Sequence, residues 1–418
     1  MRILFTILPA SAHLYPVVSL AWAFQAAGHQ VCLAAHSDVV EEATTVGLPA
    51  VVLGADDLIP EQRFDAEKAR RSGEELNLSA DERHLWDTVY DMMLPELSRF
   101  RPDENTTPEE YRLLVDDLVD FAKEWRPDLV LWDPTWVSSP VAARVAGAAH
   151  ARLLWGPDMM GWARQRFVAA GASENPIDEL VRPLAERHGV EVDDELVLGH
   201  WTIDQMPGRM RLPVDTLYVP MRPAPYNGAA PFDEWLYRQP ERPRVCLTLG
   251  VTNRTYYKDS EERIARLLSA LGDLDIEVVA TLDESQLTGL PPIPDNVRTM
   301  AYVPLNQLLP TCSAVVHHGN TGTFTAALVH GVPQVIAVDE AGLAVTTAEF
   351  VAARGAGIGV DPIASSVEEI RKQVHEVVQD PSYAAGARAL HDEVLNAPAP
   401  TDLVPMLERL TERHRARR

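Results

Sequence analysis

Short, unbroken apolar runs alternate with stretches of helical spacing over most of this chain. Arg2 is followed by Ile3-Leu4-Phe5-Thr6-Ile7-Leu8. A run of that length with no polar alternation reads as a strand buried on both faces. Pro9 to Pro16 then opens a helix over Val17 to Ala27, which stops at Gly28, and Gln30 to Ala35 is a second strand. This βαβ start predicts a parallel sheet with right-handed crossovers. Further strands are expected at Leu129 to Trp132, ending at Asp133, and at Ala151 to Trp155, with a helix from Ser138 to Ala146 between them. Met159 to Gly199 is again helical in pattern, with Trp162, Arg164 and Phe167 on its early turns.

A second βα series begins at the strand Arg244 to Leu249, which ends in Gly250-Val251-Thr252. Helix Glu261 to Leu271, strand Glu277 to Leu282 and the run Val297 to Tyr302 follow. A short helix then leads to the strand Val315-Val316-His317-His318, and Gln334 to Val338 is the next strand. Helices are expected at Thr346 to Arg354, Val367 to Gln379, Tyr383 to Leu395 and Thr401 to Arg413. Between the two series, six prolines fall within Tyr218 to Pro243 (Pro220, Pro223, Pro225, Pro231, Pro240 and Pro243), which marks a linker. The segment from about 56 to 124 is highly charged and helical, with patterns over Asp81 to Arg99 and Pro108 to Trp125. It reads as an exposed insertion that binds a partner or lies as a solvated flap. The expected fold class is α/β, with two doubly wound domains facing across a cleft. The expected boundaries are 1–218, a linker at 219–243, a second domain at 244–385, and helices at 386–418 that cross back to the first. In open parallel sheets ligands bind beyond the carboxyl ends of the strands, so loops from both domains would wall one site.

With 418 residues and 46% hydrophobic content, two ordinary cores can be buried. The 61 acidic residues against 37 basic ones give a formal net charge of −24. That balance argues against nucleic acid or an anionic membrane as the main partner, since both call for a basic surface. Cys32, Cys246 and Cys312 stand far apart without a CxxC pair and read as buried thiols of a reducing compartment. The first apolar run is too short for a secretory signal, and no apolar stretch approaches the ~20 residues that span a bilayer. A cytoplasmic protein is expected.

The stretch with the strongest chemical signal is His317-His318-Gly319-Asn320-Thr321-Gly322-Thr323. A strand, a tight small-residue loop and a helix N-terminus aim backbone N–H groups and a positive dipole end at an anion, which suits a diphosphate. The two histidines could add donors, and Thr252, just past an earlier strand, a hydroxyl. In the first half, His13 lies in the loop after the first strand, where it can act as a general base. Asp133 ends a strand of the same sheet and could orient that imidazole and stabilise its protonated form. Trp132, Trp136, Trp155 and Trp162 cluster near strand ends and could present an aromatic surface to a large apolar acceptor; tryptophan is also common in cores. There is no P-loop lysine, no zinc-ligand spacing and no G-x-S-x-G elbow, so ATP hydrolysis, a metal site and a serine hydrolase are not expected.

Taken together, these motifs resemble the GT-B glycosyltransferases of family 1. The resemblance rests on His13 with Pro16 and Gly28-His29-Gln30-Val31, on Pro127 to Asp133, on Leu247 to Thr252, and on His317 through Gln334. Leu154-Trp155-Gly156-Pro157-Asp158, Tyr226-Asn227-Gly228 and Arg242 to Cys246 narrow it to actinobacterial enzymes that attach TDP-activated deoxyamino sugars to macrolides and related polyketides, such as desosaminyl- and forosaminyltransferases. The resemblance implies an inverting transfer without a metal or bound cofactor. His13 would deprotonate the acceptor hydroxyl with support from Asp133, and TDP would leave into a cradle of Thr252, His318, Gly319, Asn320, Thr321, Gly322 and Thr323. Val303 would hold the base through its backbone. Trp132, Trp136 and Trp155 would meet the aglycone, and Asp339 or Glu340 the donor sugar. It also implies a cytochrome-P450-like helper protein for some members, docking on the first domain, and it admits a homodimer. Two departures from the pattern stand out. Asn320 replaces a glycine, an exchange that a left-handed backbone at Asn would accommodate. Leu343 and Ala344 stand where a sugar-binding acid and amide are usual. That second departure keeps an alternative in view: a protein of this fold with a degenerate donor site, serving as an accessory subunit or performing different chemistry. A nucleotide-sugar epimerase leaves the tryptophans unexplained.

Overall fold

The computed structural model describes residues 1–54, 70, 82–99, 101–103, 105–172, 174–250, 261–338 and 342–416. The chain divides into two compact units, Met1–Ala224 with Ala397–Arg418, and Pro225–Asn396. Among the described residues, no helix is long and apolar enough to cross a membrane.

In the first unit, seven parallel strands lie in the order β3-β2-β1-β4-β5-β6-β7. They are β1 (Arg2–Thr6), β2 (Gln30–Ala35), β3 (Ala50–Val52), β4 (Leu129–Trp132), β5 (Ala149–Leu154), β6 (Trp201–Asp204) and β7 (Tyr218–Pro220). The register sets Ile3 beside Val31 on one side and beside Leu129 on the other. The central strands are buried along their whole length, as expected where helices cover both faces. β3, β6 and β7 escape sequence reading because each is three or four residues long. Trp201 to Asp204 lacks a distinctive apolar run, and Pro220 argues against a strand. Yet β7 is an edge strand, where a missing N–H is tolerated.

The helical insertion is not the exposed flap expected. Its described helices, Arg83–Thr88, Leu94–Ser98, Pro108–Tyr111 and Asp117–Trp125, send Leu85, Trp86, Leu94, Leu97, Leu118 and Val119 into the main core beneath the sheet. Two π turns, Val89–Met93 and Arg112–Asp116, join these helices into longer rods. Charged positions on these rods, such as Arg83, Asp91, Asp120, Lys123 and Glu124, face solvent, while residues 55–69 and 71–81 of the expected insertion lie outside the described residues. The terminal helix Pro400–His414 packs on the first helix, Ser11–Ala26, where Glu408 pairs with His29 at 2.9 Å. The return to this unit begins at Ala397, later than the expected 386, because Pro381–Leu395 still packs on the second unit's helix Thr321–His330.

The second unit carries six parallel strands in the order β10-β9-β8-β11-β12-β13. They are β8 (Arg244–Thr248), β9 (Glu277–Thr281), β10 (Val297–Met300), β11 (Ala314–His317), β12 (Gln334–Ala337) and β13 (Gly357–Val360). The proline-rich stretch read as a linker belongs mostly to this unit. Asn227 accepts from the Asn306 N–H at 3.0 Å, and Leu236 is part of a core cluster with Val303 and Leu308. In both sheets the strand order reverses beside the first strand, between β1 and β4 and between β8 and β11. Those are the switch points at which a parallel sheet opens a crevice beyond its strand ends.

Candidate functional site

At the first switch point, β1 and β4 place His13 and Asp133 side by side. His13 is in the first turn of the helix Ser11–Ala26 rather than in a loop, because the helix starts six residues earlier than its apolar periodicity suggests. Asp133 directly follows β4, and its N–H donates to the Thr6 carbonyl at 3.0 Å. Its Oδ2 is hydrogen-bonded to His13 Nδ1. Oδ1 accepts three donors: Thr135 N–H at 2.8 Å, Thr135 Oγ1 at 2.6 Å and Trp155 Nε1 at 3.1 Å. Burial by itself would raise the Asp133 pKa. The His13 charge and the hydrogen bonds from His13 and Thr135 outweigh it and hold the carboxyl below its usual value. The Trp155 ring stands edge-on to His13, centroids 4.9 Å apart. His13 keeps 14% of its side-chain surface exposed, and among the described residues its Nε2 has no hydrogen-bond partner. The arrangement is an oriented imidazole with one nitrogen held by a carboxylate and the other open.

Of the tryptophans expected to line an acceptor surface, only Trp155 reaches this site. Trp132 and Trp136 are 0% and 2% exposed and sit in the main core. Trp132 is the last residue of a central strand and Trp136 lies in the buried turn beyond it, so helices cover both. Trp162 is likewise core, at 1% exposure. Thr135, which holds Asp133 twice, was missed by sequence reading. Its signal was the Asp-Pro-Thr turn, where a hydroxyl two residues past an aspartate folds back on it.

At the second switch point, β11 runs into His318, Gly319 and Asn320, and the helix Thr321–His330 begins. His317 is fully buried and does not face a ligand. Its Nδ1 accepts from the Gly319 N–H at 3.1 Å, and its Nε2 lies 3.0 Å from Gln334 Oε1. It is a brace for the loop, held neutral by burial with a pKa of about 4. Gly319 adopts φ +85°, and a Cβ there would lie 2.8 Å from Ala344 Cα. Asn320 is not left-handed. At φ −69° and ψ 155° it caps the helix, its side chain accepting from the Thr323 N–H at 3.2 Å. The left-handed turn is made one residue earlier, which is why a non-glycine residue fits at 320. The His318 ring lies against Gly250, whose φ is +78° and whose added Cβ would meet Cε1 at 2.5 Å. Burial, the neighbouring His317 and the Arg263 charge push His318 down to about 3.

Among the described residues, His318 Nδ1 and Thr321 Oγ1 are buried without a hydrogen-bond partner. The N–H groups of Thr321 and Gly322 open the helix and have no intrahelical acceptor. Thr323 N–H is already taken by Asn320. Two orphaned side-chain atoms and two free N–H groups at a helix N-terminus call for an anion with several acceptor oxygens. Ala344 has a packing role, pressing on Gly319, and Thr347 Oγ1 lies 3.4 Å from the Gly319 carbonyl, so the helix Leu343–Ala353 backs the loop. Val303 is 5% exposed and belongs to the core cluster with Leu236 and Leu308. Thr252, Asp339 and Glu340 lie outside the described residues.

Two family profiles match the chain in tandem. Erythromycin biosynthesis protein CIII-like, N-terminal domain, covers residues 22–250, and its C-terminal domain partner covers 265–410. The chain is 40% identical to the aclacinomycin-T 2-deoxy-L-fucose transferase of Streptomyces galilaeus, over 99% of this chain and 97% of that one. It is 41% identical to the 10-deoxymethynolide desosaminyltransferase of Streptomyces venezuelae, over 99% and 98%. Among solved structures, the glycosyltransferase VinC in complex with DTDP superimposes with a TM-score of 0.82 at 34% identity, covering 99% of this chain and 100% of that one. The spinosyn forosaminyltransferase SpnP gives 0.80 at 38% identity, covering 99% of each.

Proposed function

For a chain that belongs to the erythromycin biosynthesis protein CIII-like family, and so is a glycosyltransferase of GT-B fold, we propose inverting transfer of a deoxysugar from a TDP-sugar to a hydroxyl of a polyketide-type natural product. The observation that carries this reading is the open Nε2 of His13, with Nδ1 held by Asp133. Nε2 takes the proton of the acceptor hydroxyl as its oxygen attacks the anomeric carbon. The bond from that carbon to the diphosphate oxygen breaks on the opposite face, so the configuration inverts. Asp133 keeps Nδ1 protonated and stabilises the imidazolium that forms.

The departing diphosphate gains charge as the bond breaks. The Thr321 hydroxyl and the Thr321 and Gly322 N–H groups are the donors that meet it. The structure solved with DTDP supports thymidine diphosphate as the nucleotide, and the deoxysugar transferases of Streptomyces support the sugar class. Trp155, edge-on to His13, is the aromatic contact for the aglycone beside the reacting hydroxyl.

The test is His13→Ala with a TDP-deoxysugar and macrolactone or anthracyclinone acceptors. Turnover should be lost while TDP still raises the Tm as it does in the wild type. Unchanged turnover in the variant rejects His13 as the base, and no response of the wild-type Tm to millimolar TDP rejects the donor site.

A further inference from the structure

At the opposite end of the first sheet from His13, the fold gathers imidazoles that sugar transfer leaves unused. His150 is the second residue of β5, and His200 immediately precedes β6. Glu195 belongs to the helical turn Asp194–Leu198 between them. One ligand atom from each of these three residues lies within 4.8 Å of the other two. His150 is 1% exposed, and among the described residues neither of its ring nitrogens has a hydrogen-bond partner. A buried polar ring with both nitrogens unsatisfied calls for an explanation, and an unplaced ion is one of the few available. His200 Nε2 lies 3.3 Å from Glu195 Oε1. Its Nδ1 lies 3.1 Å from both the backbone N and the backbone O of His150, so either tautomer keeps a partner.

We propose that His150, His200 and Glu195 form a binding site for a divalent transition-metal ion, with zinc the best match. Two imidazole nitrogens and one carboxylate oxygen suit zinc and its borderline neighbours, whereas magnesium and calcium prefer oxygen ligands alone. Ligands around a tetrahedral zinc at about 2.0–2.1 Å stand roughly 3.3 Å apart, so small side-chain rotations close the present spacing. Arg144 also approaches this group. Its Nη2 reaches Glu195 Oε1 at 3.3 Å, but its two nitrogens are held by Asp193 at 2.9 Å each, so it loses little when Glu195 turns to a metal. His414 of the terminal helix lies beside His200, ring centroids 4.6 Å apart.

The metal would therefore staple β5, the start of β6 and the Asp194–Leu198 turn beneath the end of the terminal helix. Roughly 16 Å of strand separates His150 from Trp155 at the reactive end, so the role is structural rather than catalytic.

The experiment uses the full chain with its purification tag removed, stripped with a chelator and desalted. Bound zinc is quantified and the Tm is followed as zinc is added. The expected result is one equivalent per chain and a Tm rise of several degrees, with no response to magnesium. His200→Ala and Glu195→Gln, at the half-buried side of the group, should each weaken zinc by at least about tenfold and remove the Tm rise. His13→Ala should bind zinc as the wild type does. Absence of stoichiometric zinc, or zinc binding unchanged in both variants, overturns the proposal.

Discussion

Asp133→Asn isolates the part of the site that only geometry can explain. Asp133 Oδ1 accepts three donors, Thr135 N–H, Thr135 Oγ1 and Trp155 Nε1, whereas Oδ2 meets His13 Nδ1 alone. Asparagine has one oxygen, and the three donors will claim it. Its amide NH2 is then turned toward His13, whose Nδ1 must become an acceptor. The proton moves to Nε2, the atom that should take the proton of the acceptor hydroxyl. Restoring the productive tautomer would oppose two donors and leave both unsatisfied, at about 1–3 kcal/mol each. That sum, about 2–6 kcal/mol, lowers kcat by roughly 30-fold to 2 × 10⁴-fold. The loss should be read by single-turnover product formation under saturating TDP-sugar, with calorimetric TDP binding as the control for the second unit. A kcat within threefold of wild type, or TDP affinity falling in step with kcat, would refute the reasoning. Stability offers a second readout with a defined sign. The folded-state pKa of Asp133 is depressed, so its contribution is present above the unfolded carboxylate value of about 3.9 and is lost as the pH falls through the folded value. The Tm gap between wild type and Asp133→Asn should therefore be open near neutrality and narrow in acid.

Two further variants probe the second unit. Gly319→Ala combines a left-handed backbone with a Cβ 2.8 Å from Ala344, and should cost about 2–5 kcal/mol of that unit's stability and abolish TDP binding by the thermal-shift assay. Thr321→Val removes a buried hydroxyl that has no partner among the described residues, so the ligand-free Tm should hold or rise, while calorimetric TDP affinity should fall by roughly tenfold or more. Equal TDP affinity in Thr321→Val would remove that hydroxyl from the phosphate site.

Fold class was legible in the sequence because buried parallel strands are written as apolar runs, and those from Ile3, Leu129, Val245 and Val315 all became central strands. The strand–loop–helix turn at His317 to Thr323 was legible for a similar reason, since small residues between a strand and a helix leave few alternatives. Its inner workings were not. His317 and His318 read as a pair, yet strand alternation buries the first as a brace and leaves the second beside Gly250. The tryptophans misled because aromatic content near a strand end does not say which side of the chain a helix covers. Trp132 and Trp136 went into the core, while Trp155 became a donor to Asp133.

The residue types of the proposed reaction, and the strands that end at them, were set by the sequence alone. That His13 and Asp133, 120 positions apart, share a hydrogen bond was decided by β4 pairing with β1, Thr6 opposite Trp132, so that both strand ends open at one switch point. Strand order is a long-range choice, made where the loop-closure cost is outweighed by burial of whole sheet faces, and no local pattern records it.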